Sequence, residues 1–166
     1  MDNYKEQLVK ATNLLSYKLA KVFMYFIVVI AIILLAIRAY APGVLLGIVA
    51  LAMFFLKRFL YLEYEYTVTN GEVDIDKIIE MKSRKRVITF SVKDAVLVAP
   101  INSTEYRDFS DKPKEVITAM PKGCTERAYA AIVNVGARKS QIIFAPNKEF
   151  LDMCFLYNPR AVKKNI

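Results

Sequence analysis

The feature that most constrains this chain is a pair of apolar runs separated by a single basic residue. Between Lys21 and Arg38 lie sixteen uncharged residues, VFMYFIVVIAIILLAI, and after Arg38 come eighteen more, AYAPGVLLGIVALAMFFL. Each run is near the roughly 20 residues that cross a bilayer as helix. Together they are too long for one span, and Pro42-Gly43 interrupts them where a turn belongs. The pattern predicts a transmembrane helical hairpin, Leu19–Ile37 and Val44–Leu62, with Arg38–Gly43 as its loop. The uninterrupted part of the second run, Val44–Leu56, covers only about 20 Å at 1.5 Å per residue. Lys57 and Arg58 are therefore expected to snorkel at the interface, with Phe59–Leu62 at headgroup depth. A cleaved signal peptide competes, because Ala39-Tyr40-Ala41 has the small-x-small form. Against it stand Pro42 directly after the cut and the second apolar run.

Charge agrees with a membrane reading better than with a nucleic-acid one. The net charge is +8. Residues 1–21 carry Lys5, Lys10, Lys18 and Lys21 against Asp2 and Glu6, and Lys57-Arg58 follow the second run. Residues 59–166 hold 17 basic and 14 acidic side chains, so more than half of the excess flanks the apolar segments. The basic residues before the first run and after the second, with Lys18, Lys21, Lys57 and Arg58 at the interface, outweigh lone Arg38 in the loop. The positive-inside rule then places both termini in the cytoplasm of a multi-pass cell-membrane protein. A nucleic-acid partner is not expected.

The chain has no histidine, which removes the commonest general base and zinc ligand. Cys124 and Cys154 lack C-x-x-C spacing and are expected as free thiols in or near the core. No Gly-rich phosphate loop and no G-x-S-x-G elbow occurs. An enzyme and a cofactor are not expected.

Along the chain, Tyr4, Leu8, Ala11, Leu15 and Leu19 recur at helical spacing, predicting an amphipathic juxtamembrane helix that lies on the membrane or binds a partner. From Tyr61 the period becomes two. Leu62, Tyr64, Tyr66 and Val68 alternate with polar residues, Asn70-Gly71 marks a two-residue hairpin turn, and Val73 and Ile75 lie on the return strand. RVITF (86–90), AVLVAPI (95–101), EVITAM (115–120), AYAAIVNV (128–135) and SQIIFA (140–145) read as further strands. Asn147 can cap a final helix through Tyr157, with Pro159 beyond it. The domains expected are therefore a juxtamembrane helix (1–18), the membrane hairpin (19–62), a cytoplasmic antiparallel β-sandwich or barrel with a C-terminal helix (63–158), and a basic tail (159–166).

A two-helix hairpin followed at once by EYEYTVTNGEVDIDKI and a basic RKR, and ending in IIFAPNKEFLDMCF, resembles the bacterial pleckstrin-homology-like (PH-like) membrane proteins, in particular small two-span proteins of Gram-positive anaerobes. The resemblance implies two packed antiparallel sheets closed by a C-terminal helix. It implies a membrane-anchored α+β protein and carries no known chemistry. In eukaryotic relatives some members bind phosphoinositides through a basic β1–β2 loop. With the first strand at Tyr61–Val68, that loop here would be Asn70-Gly71, followed by Glu72, Asp74 and Asp76, so no phosphoinositide residue carries over.

Two features of Thr69–Val87 invite chemistry. Asp74-x-Asp76 has the form of a metal-binding pair, but alternating carboxylates on a strand are usually a solvated face, and no metal is expected. The run Lys82, Arg84, Lys85, Arg86 is a candidate contact for anionic lipid headgroups. Strict alternation puts Lys85 outward beside Asp76, and Arg84 and Arg86 at the end of the inner face near Lys77 and Tyr64. The competing reading is a solvated turn that balances the acids. The function expected is a scaffold or interaction module at the cytoplasmic membrane face, contacting lipid headgroups or a protein. The alternative is an accessory subunit of a transporter or envelope-biogenesis complex, held through the hairpin, where Gly43, Gly47 and Ala50 share a face that permits close helix approach.

Overall fold

The computed structural model describes residues 4–10, 14–135 and 138–164. They form two compact units, one of residues 11–62 and one of residues 1–10 with 63–166.

In the helical unit, α1 (Leu14–Ala36) and α2 (Tyr40–Leu56) are followed by a 3₁₀ turn, Lys57–Leu60. Leu14–Ala36 and, with the 3₁₀ turn included, Tyr40–Leu60 are long and apolar enough to cross a membrane. The helices begin earlier than expected, and α2 takes Pro42 and Gly43 into its first turn. A proline costs nothing there, since first-turn N–H groups have no partner within the helix. The loop shrinks to Ile37–Ala39. Arg38 takes a positive φ of 66°. Its N–H donates to Leu35 O and the Ala39 N–H to Leu34 O, which closes α1 in a Schellman motif. Of the small residues, Gly43 serves the hairpin itself. A Cβ on Gly43 would stand 2.9 Å from the Leu35 side chain and 3.3 Å from Ala31 O, whereas one on Gly47 would meet nothing within 4 Å. Lys18 and Lys21 are exposed. Lys57, expected at the interface, is buried within the helical unit, its Nζ 5.0 Å from the Phe54 ring centroid and 5.5 Å from that of Tyr17.

The β unit contains β1 (Tyr4–Val9), β2 (Leu62–Thr69), β3 (Glu72–Ile79), β4 (Ser83–Ser91), β5 (Ala95–Pro100), the short α3 (Thr104–Arg107), β6 (Val116–Thr118), β7 (Tyr129–Val135), β8 (Arg138–Phe144) and α4 (Lys148–Tyr157). The strands form two sheets, ordered β1-β2-β3-β4 and β5-β7-β8-β6. The expected strands and the Asn147-capped helix are present, but the second sheet is mixed and not antiparallel throughout as expected, because β6 pairs parallel with β8. The Asn147 side chain accepts the Phe150 N–H at 2.8 Å. The tip of the β7–β8 hairpin lies outside the described residues.

The main correction concerns the N-terminus. Tyr4–Val9 is a strand, not a helix, and it pairs antiparallel with β2, Tyr4 opposite Thr69 and Val9 opposite Tyr64. Tertiary pairing outweighs the helical spacing, because the face that becomes buried is Lys5-Gln7-Val9 and the supposed apolar stripe, Tyr4 and Leu8, stays exposed. Gln7 fixes the strand. Its amide donates to Ala145 O at 2.9 Å and accepts from the Asn147 N–H at 2.7 Å. Lys5 pairs with Glu149 in the first turn of α4. The first strand is therefore at the N-terminus, the whole helical hairpin is the β1–β2 connection, and Asn70-Gly71 is the β2–β3 turn.

The core is centred on Tyr66, Phe144 and Phe150, whose rings pack edge to face with centroids 5.6–6.3 Å apart. The Tyr66 hydroxyl donates to Ala119 O at 2.6 Å, so the one polar atom in that cluster is satisfied. Gly71 has φ 89°. A Cβ there would stand 2.8 Å from the Tyr157 ring, so only glycine lets the β2–β3 turn close against α4. The described part of the basic tail packs against the β unit. Val162 bridges Val98 in parallel, Ala161 and Val162 are buried, and Lys164 pairs with Asp152 at 2.6 Å and lies over the Phe155 ring.

Candidate functional site

The β2–β3–β4 meander positions the charged residues. Asn70 and Gly71 both have positive φ, 53° and 89°, as a type I′ hairpin turn requires. On the return pair, Ile75 faces Ile88 but Asp76 faces Arg86, so Val87 is an extra residue and the register shifts between Ile75 and Asp76. This bulge reverses the inward and outward sense of everything before it in β4. Arg86 and Arg84, expected at the end of the inner face, instead join the acids on the outer face. Lys85, expected outward beside Asp76, instead stands opposite Lys77.

One outer cluster is built on Arg86. Its Nε donates to Asp76 Oδ1 and its Nη1 to Asp74 Oδ1, both at 2.5 Å. Thr89 Oγ1 accepts from Arg86 Nη1 at 2.9 Å and donates to Asp74 Oδ1 at 2.6 Å. The carboxylates hold the guanidinium firmly protonated, Asp76 first. One oxygen of each D-x-D carboxylate thus bonds Arg86. Among the described residues no group of three or more His, Cys, Asp or Glu side chains is placed to hold a metal ion.

A second outer cluster bridges β1, β2 and β4. Glu65, 6% exposed, pairs with Arg84 and hydrogen-bonds Glu6, which also accepts from the Tyr4 hydroxyl at 2.5 Å. Burial pushes the Glu65 carboxyl up, as does the bond to Glu6, and Arg84 opposes both. Glu6 is held below the usual carboxylate range, chiefly by its bond from Glu65 and then by the Tyr4 hydroxyl. The two carboxyls thus shift in opposite directions.

The structure thus separates the basic run. Arg84 and Arg86, about half exposed, are tied to acids on the outer face. Lys82 and Lys85 are exposed away from those clusters. At the β3–β4 turn Glu80 and Met81 have positive φ of 52° and 55°, and the Lys82 N–H donates to Ile79 O at 3.0 Å. This is a second type I′ turn, made without the Asn or Gly that would have announced it. Sequence reasoning also missed Glu6 and Tyr4, whose signal was the alternation of Lys5, Gln7 and Val9. Both cysteines are free. Burial pushes the Cys154 thiol up to about 12, and Cys124 is half-buried.

Two four-stranded sheets closed by a C-terminal helix, with a long apolar hairpin between the first two strands, define a PH-like domain with a helical insertion. The family model "Bacterial PH-like domain (DUF6106)" matches residues 1–164, and the chain belongs to that family. No curated protein and no solved structure matches it.

Proposed function

We propose that this is a non-enzymatic integral membrane protein, anchored by its two apolar helices, that holds a PH-like domain at the cytoplasmic face as an interaction or scaffold module. The observation that carries this reading is the pairing of β1 with β2 on either side of the helical hairpin. Paired strands lie in one compartment, so the chain between them crosses a membrane an even number of times. Two helices of 23 and 21 residues, most of whose large apolar side chains are exposed, support two crossings. The lysines before α1 and Lys57-Arg58 after α2, against Arg38 in the loop, favour a cytoplasmic domain. Of the basic run, Lys82 and Lys85 are exposed away from the acid clusters, which supports contact with anionic headgroups or a protein partner.

Cysteine-accessibility mapping tests the anchor. A cysteine at Arg38 should label only from outside the cell, and one at Lys112 only after permeabilisation. Labelling of both from one side sinks the two-span reading. The second reading, an accessory subunit held through the hairpin, draws on the open space over Gly47 beside exposed apolar side chains. Replacing residues 14–60 by an unrelated two-span hairpin separates the two. A module keeps its partners in affinity purification, whereas an accessory subunit loses them.

A further inference from the structure

The β3–β4 turn combines three properties that the proposed scaffold role does not explain. Glu80 and Met81 both occupy the left-handed region, a costly conformation for residues that carry a Cβ. Met81, at its tip, is 71% exposed. Lys82 follows it directly, and three residue pairs in from the turn Lys85 stands opposite Lys77, on the face of the hairpin away from the acid-paired arginines. An apolar, conformationally adaptable side chain at the tip of a turn, followed by one lysine and backed along the hairpin by a lysine pair with long apolar stems, has the chemistry of an interfacial anchor.

Topology says which surface it meets. β2 runs away from Leu62 to the Asn70-Gly71 turn and β3 returns, so the β3–β4 turn lies at the end of the first sheet where β2 begins. Val9, opposite Tyr64, brings the end of β1 to that same edge. Both connections to the apolar helices therefore leave from the end that carries Met81. Arg58 and Leu62 are four residues apart, at most about 14 Å of extended chain.

We propose that this turn is an interfacial wedge: Met81 enters the boundary of an anionic lipid surface while Lys77, Lys82 and Lys85 take its headgroups, with Arg84 and Arg86 held back by Glu65, Asp74 and Asp76. The proposal rests on the two-span reading, and the test keeps the two apart. The chain has no tryptophan, so each single introduction reports its own position. The full-length variants Met81→Trp, Leu51→Trp and Leu156→Trp are reconstituted in phosphatidylcholine vesicles with about 30% phosphatidylglycerol, carrying lipids brominated near the headgroup. Leu51 lies within α2. Leu156 is exposed on α4 next to Tyr157, which packs on Gly71 at the opposite end of the sheet. Indole fluorescence of Met81→Trp should be quenched at least twofold more than that of Leu156→Trp. The excess should vanish when Lys82→Ala and Lys85→Ala are added, or without phosphatidylglycerol. Equal quenching of Met81→Trp and Leu156→Trp, with Leu51→Trp quenched, overturns the wedge and leaves the anchor standing. An unquenched Leu51→Trp overturns both. Should Met81→Trp misfold, peroxide oxidation of Met81 in the wild-type chain reports the same contact. It should slow severalfold in anionic vesicles against phosphatidylcholine alone, and equal rates refute the wedge.

Discussion

Removing the β1 strand should unfold the β unit, and Gln7 is the residue through which to measure this. Val9 is opposite Tyr64, so Lys10 and Glu63 are positioned to flank a hairpin turn. Replacing residues 11–62 by Asn-Gly should give a soluble, folded domain. Within it Gln7 is 7% exposed and satisfies one backbone acceptor, Ala145 O, and one donor, the Asn147 N–H. In Gln7→Ala both lose their partner next to the cap of α4. An orphaned buried group costs about 1–3 kcal/mol, and partial rescue by water brings the pair to about 2–4 kcal/mol. Val9 adds roughly 1.5–3 kcal/mol of apolar burial, so losing the whole strand approaches the 5–15 kcal/mol that holds a typical domain together. Urea unfolding followed by far-UV circular dichroism should show a lower midpoint with unchanged slope for Gln7→Ala, and no cooperative transition for the fragment 63–166. A fragment as stable as the joined domain, or a Gln7→Ala shift below about 0.5 kcal/mol, would refute the role given to β1.

Other substitutions in the joined domain test the turns and the carboxyl pair. Gly71→Ala meets a positive φ and the Tyr157 ring, and should cost about 2 kcal/mol or more by the same urea assay. Conversely, Glu80→Asn with Met81→Gly should raise stability by about 1–2 kcal/mol, read as a higher thermal midpoint. The Glu65 carboxyl is raised on folding, so its contribution is complete below the ordinary carboxylate value and is lost as pH rises through its folded value. Glu6 is lowered, so its share is present above the ordinary value and lost as pH falls through the folded one. A stability–pH profile should therefore peak between the two, and Glu65→Gln should remove the decline on the alkaline side of that peak. In the full chain, Gly43→Leu should separate the helices, detected as weaker disulfide cross-linking between cysteines placed on α1 and α2.

The strands from Leu62 onward and α4 were legible because alternation, Asn70-Gly71 and the Asn147 cap are local signals. The face carrying Arg84 and Arg86 was not legible. One unpaired residue, Val87, inverts it, and nothing in RKRVITF marks a bulge. β1 escaped for a different reason. Its pairing partner lies more than fifty residues away, and its buried face contains a lysine and a glutamine whose partners belong to α4 and the segment before it. Helical spacing in Tyr4 and Leu8 was then the strongest local pattern, and it pointed outward. The turn at Glu80-Met81 was hidden because its residues work against their own conformation.

The interruption of the first sheet by the helical hairpin has a consequence for biosynthesis. β1 is translated before β2 and has no partner until both helices and β2 have followed it from the ribosome. During that interval Gln7 and Val9 are exposed on an unpaired strand. If only one helix inserts, β1 and β2 are stranded in opposite compartments and the domain cannot close. On the proposed two-span anchor, maturation of the β unit is thereby conditional on correct insertion, and a misinserted chain is left open to proteolysis.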